Sequence, residues 1–126
     1  RIILEPTLTT SQRTVELFFQ SLENPVQLRE EWTIGKMARQ CRLGITQFTN
    51  LCRKITNLTP GQYLNSRRLE MAAQMLCKQS ELSITDIAFH CGFNSSQYFA
   101  TLFSRKNGVC PTQFRKASKK PANNNL

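Results

Sequence analysis

The chain has 126 residues, the size of one ordinary domain or of two very small ones that share a core. Hydrophobic residues make up 40% of it and charged residues 20%, which favours a packed fold over disorder, and no apolar run approaches the roughly 18 residues of a membrane span. Seventeen Lys and Arg residues against eight Asp and Glu give a net charge of +9, which favours a polyanionic partner, nucleic acid before an anionic membrane.

The first predicted segment, residues 1–31, is a mildly acidic leader with three basic and five acidic side chains. It contains one amphipathic helix, because apolar residues recur at the spacing of a single helix face, at Val15, Phe18, Phe19 and Leu22. The polar run Thr9-Thr10-Ser11 is the candidate cap of this helix, and Asn24-Pro25 is expected to end it. The first residue is Arg rather than Met, which favours a chain cut from a longer protein, with processing as the alternative explanation.

Residues 32–59 predict two helices joined by a tight turn. Thr33 can cap the first helix through the amides of Gly35 and Lys36, and Ala38 is small enough for a second helix to cross closely. Gly44 is predicted to supply the unusual backbone angles of the turn. The second helix has a core stripe of Phe48, Leu51, Cys52 and Ile55 and an opposite face of Thr46, Asn50 and Arg53, with Thr49 at its side.

Residues 60–79 predict one longer helix, which Pro60 opens and which runs to about Lys78. Its buried stripe is Leu64, Leu69, Ala72, Ala73 and Leu76. About 19 residues at 1.5 Å each give roughly 28 Å. A rod of this length can hold two short helices about 34 Å apart, which is one turn of B-form DNA.

Residues 80–118 repeat the first helical pair. Segment 33–41 aligns with 83–91 at an offset of 50, and after one added residue in the turn segment 48–63 aligns with 99–114 at an offset of 51. Ser83, Ala88 and Gly92 take the parts of cap, small residue and turn glycine in this second copy. Asn57 and Gly108 can each end a helix in the left-handed conformation. Residues 119–126 show no periodicity and are predicted to be a disordered tail.

Each copy resembles a helix-turn-helix, and the outward faces of the two second helices carry no acid. In the second copy Phe99, Leu102 and Phe103 point inward, and the outward face is Gln97, Thr101 and Ser104, flanked by Ala100. Hydroxyls, amides and methyls are groups that read base edges. The candidate phosphate contacts are Arg39, Arg42, Arg53, Lys54, Arg67, Arg105, Lys106, Arg115 and Lys116, and Arg68 is either a further one or a structural ion-pair partner.

No catalytic residue, metal site or cofactor is predicted. The five cysteines form no CxxC pair, and His90 is the single histidine, so the ligands of a zinc site are not at metal spacing. The cysteines sit at core-type or turn positions, which favours reduced thiols and a cytoplasmic location. An enzyme is disfavoured, because the chain has no paired acids in a shared motif and no glycine-rich phosphate loop.

Segment 32–116 resembles the C-terminal DNA-binding domain of the AraC/XylS family of bacterial transcription regulators. The resemblance rests on RLEMA at 68–72, LSITDIA at 82–88, CGFNSSQYF at 91–99 and GVCPTQFR at 108–115. It implies an all-α fold of about seven helices, with two helix-turn-helix subdomains joined by a long central helix. It also implies that the chain binds promoter DNA, that RNA polymerase is a partner, and that an N-terminal effector or dimerisation domain is missing from this chain.

The resemblance also assigns base-reading positions to the two recognition helices. They fall on Thr46, Thr49 and Asn50 in the first copy and on Ser95, Ser96, Gln97, Ala100 and Thr101 in the second. The first copy departs from the family pattern at three positions. Gly44 stands where a capping serine is usual, Cys52 where an aromatic is usual, and Asn57 where a glycine is usual.

Two other classes of protein are alternatives to a double-stranded DNA-binding domain. An RNA-binding module would need exposed aromatics for stacking, and Phe48, Phe99, Phe103 and Tyr63 are predicted to be in the core. A helical protein-interaction module without DNA specificity stays the alternative. Salt separates the two, because DNA binding weakens steeply with salt when about 6–10 phosphates are neutralised.

Overall fold

The computed structural model of the chain describes residues 6–119. Within them the backbone forms eight helices and no strand, so the predicted all-α class is confirmed. The helices are α1 (Pro6–Ser21), α2 (Pro25–Leu28), α3 (Ile34–Gln40), α4 (Ile45–Thr56), α5 (Pro60–Lys78), α6 (Ile84–His90), α7 (Ser96–Asn107) and α8 (Pro111–Lys119). The eighth helix beyond the expected seven is the short α2.

The internal repeat is confirmed as a repeat of structure. Helices α3 and α6 start at Ile34 and Ile84, at the offset of 50. Helices α4 and α7 have 12 residues each and start at Ile45 and Ser96, at the offset of 51. Pro60 opens the 19-residue α5, as predicted from its place at the first helical position.

The leader differs from its prediction in two ways. Helix α1 begins at Pro6, so Thr9-Thr10-Ser11 lies inside the helix and its predicted capping role is wrong. The reason is that proline, which needs no amide partner, starts a helix well, whereas three hydroxyl residues do not prevent one from continuing. The chain also re-enters a helix after α1, because the Asn24 side chain accepts a hydrogen bond from the Val26 amide at 2.9 Å and caps α2.

The chain divides into two compact units between Ser66 and Arg67, within α5. The N-terminal unit holds α1 to α4 and the first residues of α5, and the C-terminal unit holds the rest of α5 with α6 to α8. The predicted boundaries at 31/32, 59/60, 79/80 and 118/119 stay predictions. Lys119 is the last residue of α8, and residues 120–126 of the predicted tail lie outside the described residues.

An aromatic cluster joins α1 to the first helix-turn-helix. Phe18 and Phe19 of α1 each have their ring centroid 6.3 Å from that of Phe48, which is fully buried on α4. Trp32 packs edge-on against Phe18 at 5.1 Å, and Tyr63 packs on Phe19 at 4.2 Å. Aromatic side chains bury large areas and add a specific ring-to-ring attraction. Helix α1 therefore shares one core with the first helical pair.

The C-terminal unit has its own core around Phe99 and Phe103, which are fully buried on α7. Their ring centroids lie 5.6 Å apart, and the Phe114 ring of α8 meets Phe103 at 5.2 Å. Ala88 of α6 is also fully buried, which agrees with its predicted place at a close helix crossing. The same core includes Leu69, Ala72 and Leu76 of α5.

The prediction that each cysteine sits at a core-type or turn position is wrong for Cys77. Cys41, Cys52 and Cys91 are buried, but Cys77 and Cys110 are exposed, and none of the five forms a disulfide. Cys110 lies in the turn between α7 and α8, whereas Cys77 is exposed on α5 directly after the fully buried Leu76, beside the apolar stripe of that helix. Burial raises the pKa of Cys41 to about 11 and also raises the pKa of Cys52.

Candidate nucleic-acid interface

The first helix of each helix-turn-helix starts at a capping hydroxyl. Thr33 Oγ1 accepts a hydrogen bond from the Lys36 amide at 3.0 Å, and Ser83 Oγ accepts one from the Asp86 amide at 3.0 Å. Both predicted caps are confirmed. Such a bond satisfies one of the amides that a helix start leaves without an intrahelical partner.

The turn of each helix-turn-helix is a left-handed helix ending. The Leu43 amide reaches back to the Ala38 carbonyl at 2.9 Å, and the Phe93 amide reaches back to the Ala88 carbonyl at 3.0 Å. This six-residue closure puts the residue before Leu43 or Phe93 in the left-handed region. That residue is Arg42 with φ 60° in the first copy and Gly92 with φ 96° in the second.

The prediction that Gly44 supplies the unusual angles is therefore wrong. Gly44 has φ −72° and ψ 163°, an ordinary extended conformation, and it is the residue before α4. The prediction chose the nearest glycine, whereas the offset of 50 between the two copies places Gly92 opposite Arg42. An arginine in this conformation costs free energy that a glycine avoids.

The recognition helices, α4 and α7, start differently. Ser95 caps α7 by accepting a hydrogen bond from the Tyr98 amide at 3.1 Å, whereas Gly44 offers α4 no side-chain cap. Both helices end on a left-handed residue, Asn57 with φ 66° and Gly108 with φ 81°. The departures from the family pattern at Gly44 and Asn57 thus leave the helix boundaries in place.

None of the eight predicted base-reading residues is buried. Thr46, Asn50, Ser95, Gln97 and Thr101 are exposed, and Thr49, Ser96 and Ala100 are half-buried. On α4 the buried residues are Phe48, Leu51 and Cys52, and on α7 they are Phe99 and Phe103. Each recognition helix therefore keeps one apolar face in its own unit and leaves the predicted reading residues accessible. Their contact with bases stays a prediction.

Both recognition helices are free of acids along their whole length. Basic side chains stand in their last turns, Arg53 and Lys54 on α4 and Arg105 and Lys106 on α7. In the N-terminal unit Arg39, Arg42, Arg53 and Lys54 are exposed, and in the C-terminal unit Arg105, Lys106 and Lys116 are exposed. The arrangement presents positive charge at the end of each recognition helix.

One acidic residue lies among the predicted phosphate contacts of the C-terminal unit. Glu70 accepts a hydrogen bond from Arg67 at 2.9 Å and lies 3.9 Å from the Lys106 ammonium. The carboxylate is half exposed, so water screens both ion pairs and each contributes little to stability. Arg67 and Lys106 can therefore exchange Glu70 for a phosphate at small cost.

Arg115 and Arg68 have structural surroundings. The half-buried Arg115 donates from Nε to the Leu76 carbonyl at 3.2 Å and from Nη2 to the Gln79 carbonyl at 3.1 Å, which ties α8 to the end of α5. A phosphate contact by Arg115 would have to use its remaining N–H groups. Arg68 is 8% exposed, and burial lowers its pKa while the neighbouring Cys91 raises it. Of the two roles predicted for Arg68, its burial favours the structural one.

Three exposed apolar residues near the helix-turn-helix surfaces were not predicted from the sequence. Ile45 starts α4, Phe89 lies near the end of α6, and Tyr98 lies in the first turn of α7, and each is about half exposed. Apolar residues were assigned to the core by periodicity, so these three received no role. The first turn of a recognition helix is the signal that could have found Ile45 and Tyr98, since these residues approach base edges in helix-turn-helix proteins.

Residues 6–119 contain no group of three or more His, Cys, Asp or Glu side chains that could hold a metal ion. None of the helices in this part of the chain has both the length and the apolar character required to cross a membrane.

A comparison with known proteins identifies the family. A family model described as "Helix-turn-helix domain" matches residues 37–117. The transcriptional activator RhaS of Escherichia coli O157:H7 is 37% identical over 112 residues, which are 89% of this chain and 39% of RhaS. The chain thus spans about two fifths of the length of this relative.

Solved structures share the fold. The DNA-binding domain of AdpA, crystallised with a target DNA, superposes with a TM-score of 0.76 at 24% identity and covers 82% of this chain and 91% of that one. A regulator from Chromobacterium violaceum with an AraC-type DNA-binding domain gives 0.76 at 22% identity, covering 88% and 96%. With two helix-turn-helix copies, capped and closed as described, and a family model over most of its length, the chain belongs to the AraC/XylS family and corresponds to that family's DNA-binding domain.

Proposed function

We propose that this chain binds double-stranded promoter DNA sequence-specifically as part of a bacterial transcription regulator. The observation that carries the proposal is the duplicated helix-turn-helix whose two recognition helices, α4 and α7, are acid-free and keep their polar faces exposed. A helix with such a face fits the major groove, where side-chain amides and hydroxyls can pair with base edges.

The two recognition helices enter adjacent major-groove segments. Thr46, Thr49 and Asn50 read one segment, and Ser95, Ser96, Gln97, Ala100 and Thr101 read the other. Because the two copies differ in sequence at nearly all of these positions, the site has no two-fold symmetry. One chain therefore recognises an asymmetric site that a symmetric dimer could not read.

The exposed basic residues hold the chain on the phosphate backbone. They neutralise phosphates and release counterions, so affinity falls steeply as salt rises. Arg105 and Lys106 follow the reading face of α7, as Arg53 and Lys54 follow that of α4. These contacts set register and orientation, whereas the base-reading residues set sequence preference.

The whole protein acts in the cytoplasm and regulates transcription there. We infer this from the family and from the likeness to the transcriptional activator RhaS. An N-terminal effector or dimerisation domain precedes this segment in the full protein, and RNA polymerase is its partner at the promoter. The proposal contains no catalytic step, metal or cofactor.

Selection of binding sites from random duplex DNA tests the proposal directly. We expect an asymmetric site longer than one helical turn, because two recognition helices contribute to it. Gln97→Ala should relax preference at one half of the site and weaken cognate binding by about 1–3 kcal/mol. Gln20→Ala, an exposed glutamine on α1, is the matched control and should leave both unchanged. Equal losses on cognate and random DNA would contradict the reading role of Gln97.

A second pair of variants tests the phosphate contacts. Arg105→Ala should weaken binding to all sequences alike and reduce the slope of log affinity against log salt by about one. Arg13→Ala, which removes an exposed arginine from α1, is the control. If the DNA affinity of the unmodified protein did not change with salt, the result would instead support the alternative, a helical module that docks on a protein.

A further inference from the structure

Ile45 is a large apolar residue that the fold leaves half exposed. It is 50% exposed at the first position of α4, directly before the predicted base-reading residue Thr46. A β-branched apolar side chain gains nothing from water and is only an average helix former. An exposed isoleucine on a recognition helix is therefore a candidate for contact with a binding partner.

The internal repeat gives Ile45 a register. The offset of 51 aligns Ile45 with Ser96 and Thr46 with Gln97, since α4 and α7 start at equivalent positions. Ser96 and Gln97 are both predicted base-reading residues, but in the first copy only Thr46 carries that assignment. Gly44 and Ile45, opposite Ser95 and Ser96, are the two positions of this row without an assignment in the first copy, and of the two only Ile45 has a side chain.

The end of the Ile45 side chain reaches α3 near Gly35. A Cβ atom added to Gly35 would lie 3.9 Å from Ile45 Cδ1 and 3.7 Å from Arg39 Nη1. Both the Ile45 methyl and the guanidinium of Arg39, a predicted phosphate contact, therefore lie over the side-chain-free backbone at Gly35, while half of the Ile45 side chain stays exposed.

We propose that Ile45 is a specificity residue that recognises the C5 methyl group of a thymine. Thymine is the one base that presents an apolar group in the major groove, and side-chain methyls recognise it by contact. Arg39, whose guanidinium also lies near Gly35, would hold a neighbouring phosphate while Ile45 covers the methyl. This inference rests on the proposed function, because it places α4 in the major groove.

Replacement of thymine by deoxyuridine tests the contact, because it removes only the methyl group. In a duplex selected from random DNA, each thymine is replaced in turn by deoxyuridine and binding is measured for the unmodified protein and for Ile45→Ser. We expect one position at which deoxyuridine weakens binding of the unmodified protein about fourfold, the value of one buried methyl-sized group. Ile45→Ser should bind both duplexes equally at that position.

Ile34→Ser is the matched control. Ile34 is 39% exposed at the first position of α3, the helix that is not the recognition helix. This variant should keep the fourfold effect of deoxyuridine, and thermal unfolding of both variants checks that each is folded. A selected site at which Ile45→Ser responds to every deoxyuridine as the unmodified protein does would overturn this inference alone. Failure to select any site would overturn the proposed function and this inference with it.

Discussion

Arg42 carries a conformational cost that its counterpart Gly92 does not. With φ 60° it occupies the left-handed region in the turn between α3 and α4, and it is exposed. We expect Arg42→Gly to stabilise the N-terminal unit. The left-handed conformation costs an L-residue about 1–2 kcal/mol relative to glycine, and glycine returns about 0.4–1 kcal/mol of that through the freedom of the unfolded chain. The net gain is about 0.8 kcal/mol.

Thermal unfolding followed by circular dichroism measures this gain. For a unit of this size about 0.8 kcal/mol raises the midpoint by roughly 3–6 °C. Arg42→Asn should raise it by less, since asparagine tolerates the left-handed region only partly, and Arg42→Ala should not raise it at all. A midpoint that falls for Arg42→Gly would refute the reasoning from backbone strain.

The same variants separate stability from binding. If Arg42 contacts a phosphate, all three substitutions lower the salt slope of DNA binding by about 0.9, whatever they do to the midpoint. Arg42→Gly would then be more stable and bind more weakly, which explains why a strained arginine occupies this turn. An unchanged salt slope would remove Arg42 from the predicted phosphate contacts.

Three further changes are predicted. Gly44→Ser should stabilise the N-terminal unit by about 0.5–1 kcal/mol, because the position is extended, has open space and lacks a side-chain cap; an unchanged urea midpoint would count against the cap. Arg115→Met should destabilise the C-terminal unit by about 2 kcal/mol through two lost hydrogen bonds to carbonyls, whereas the exposed Lys116→Met should be neutral in the same urea titration. Since burial raises the pKa of Cys41 from 9.0 to about 11, its thiol stays protonated in the folded state while the unfolded one ionises. The free energy of unfolding should therefore fall as pH rises from 9 to 11, by up to about 3 kcal/mol, and Cys41→Ala should lose that part of the slope.

Much of the fold could be predicted from local patterns. The spacing of Phe48, Leu51 and Cys52 marks one face of α4, and those residues are buried. Capping hydroxyls at Thr33 and Ser83 precede α3 and α6, because the bond they make spans only three residues. The internal repeat predicted both helix-turn-helix copies together, since similar sequences at a nearly fixed offset imply similar structures.

The errors have physical causes that local patterns do not contain. The Thr9-Thr10-Ser11 cap was wrong because hydroxyl residues both cap helices and continue them, and only the backbone shows which. Cys77 is exposed although the adjacent Leu76 is fully buried, because Cys77 lies beside the apolar stripe of α5 rather than on it. Gly44 was predicted to form the turn because glycine permits left-handed angles, but a glycine can equally adopt the extended conformation, as Gly44 does.

The sequence by itself determined the all-α class, the duplicated helix-turn-helix, the helix starts at Pro60 and after Ser83 and the outward rows of α4 and α7, because each depends on local spacing and capping or on the likeness of two segments of the chain. Only the tertiary structure decided what Arg115 and α1 do. Arg115 meets carbonyls 36 and 39 residues earlier in the chain, and α1 completes the core of the first helical pair through Phe18 and Phe19. Such contacts join distant segments, so their partners exist only once the chain has folded and water has been excluded between them.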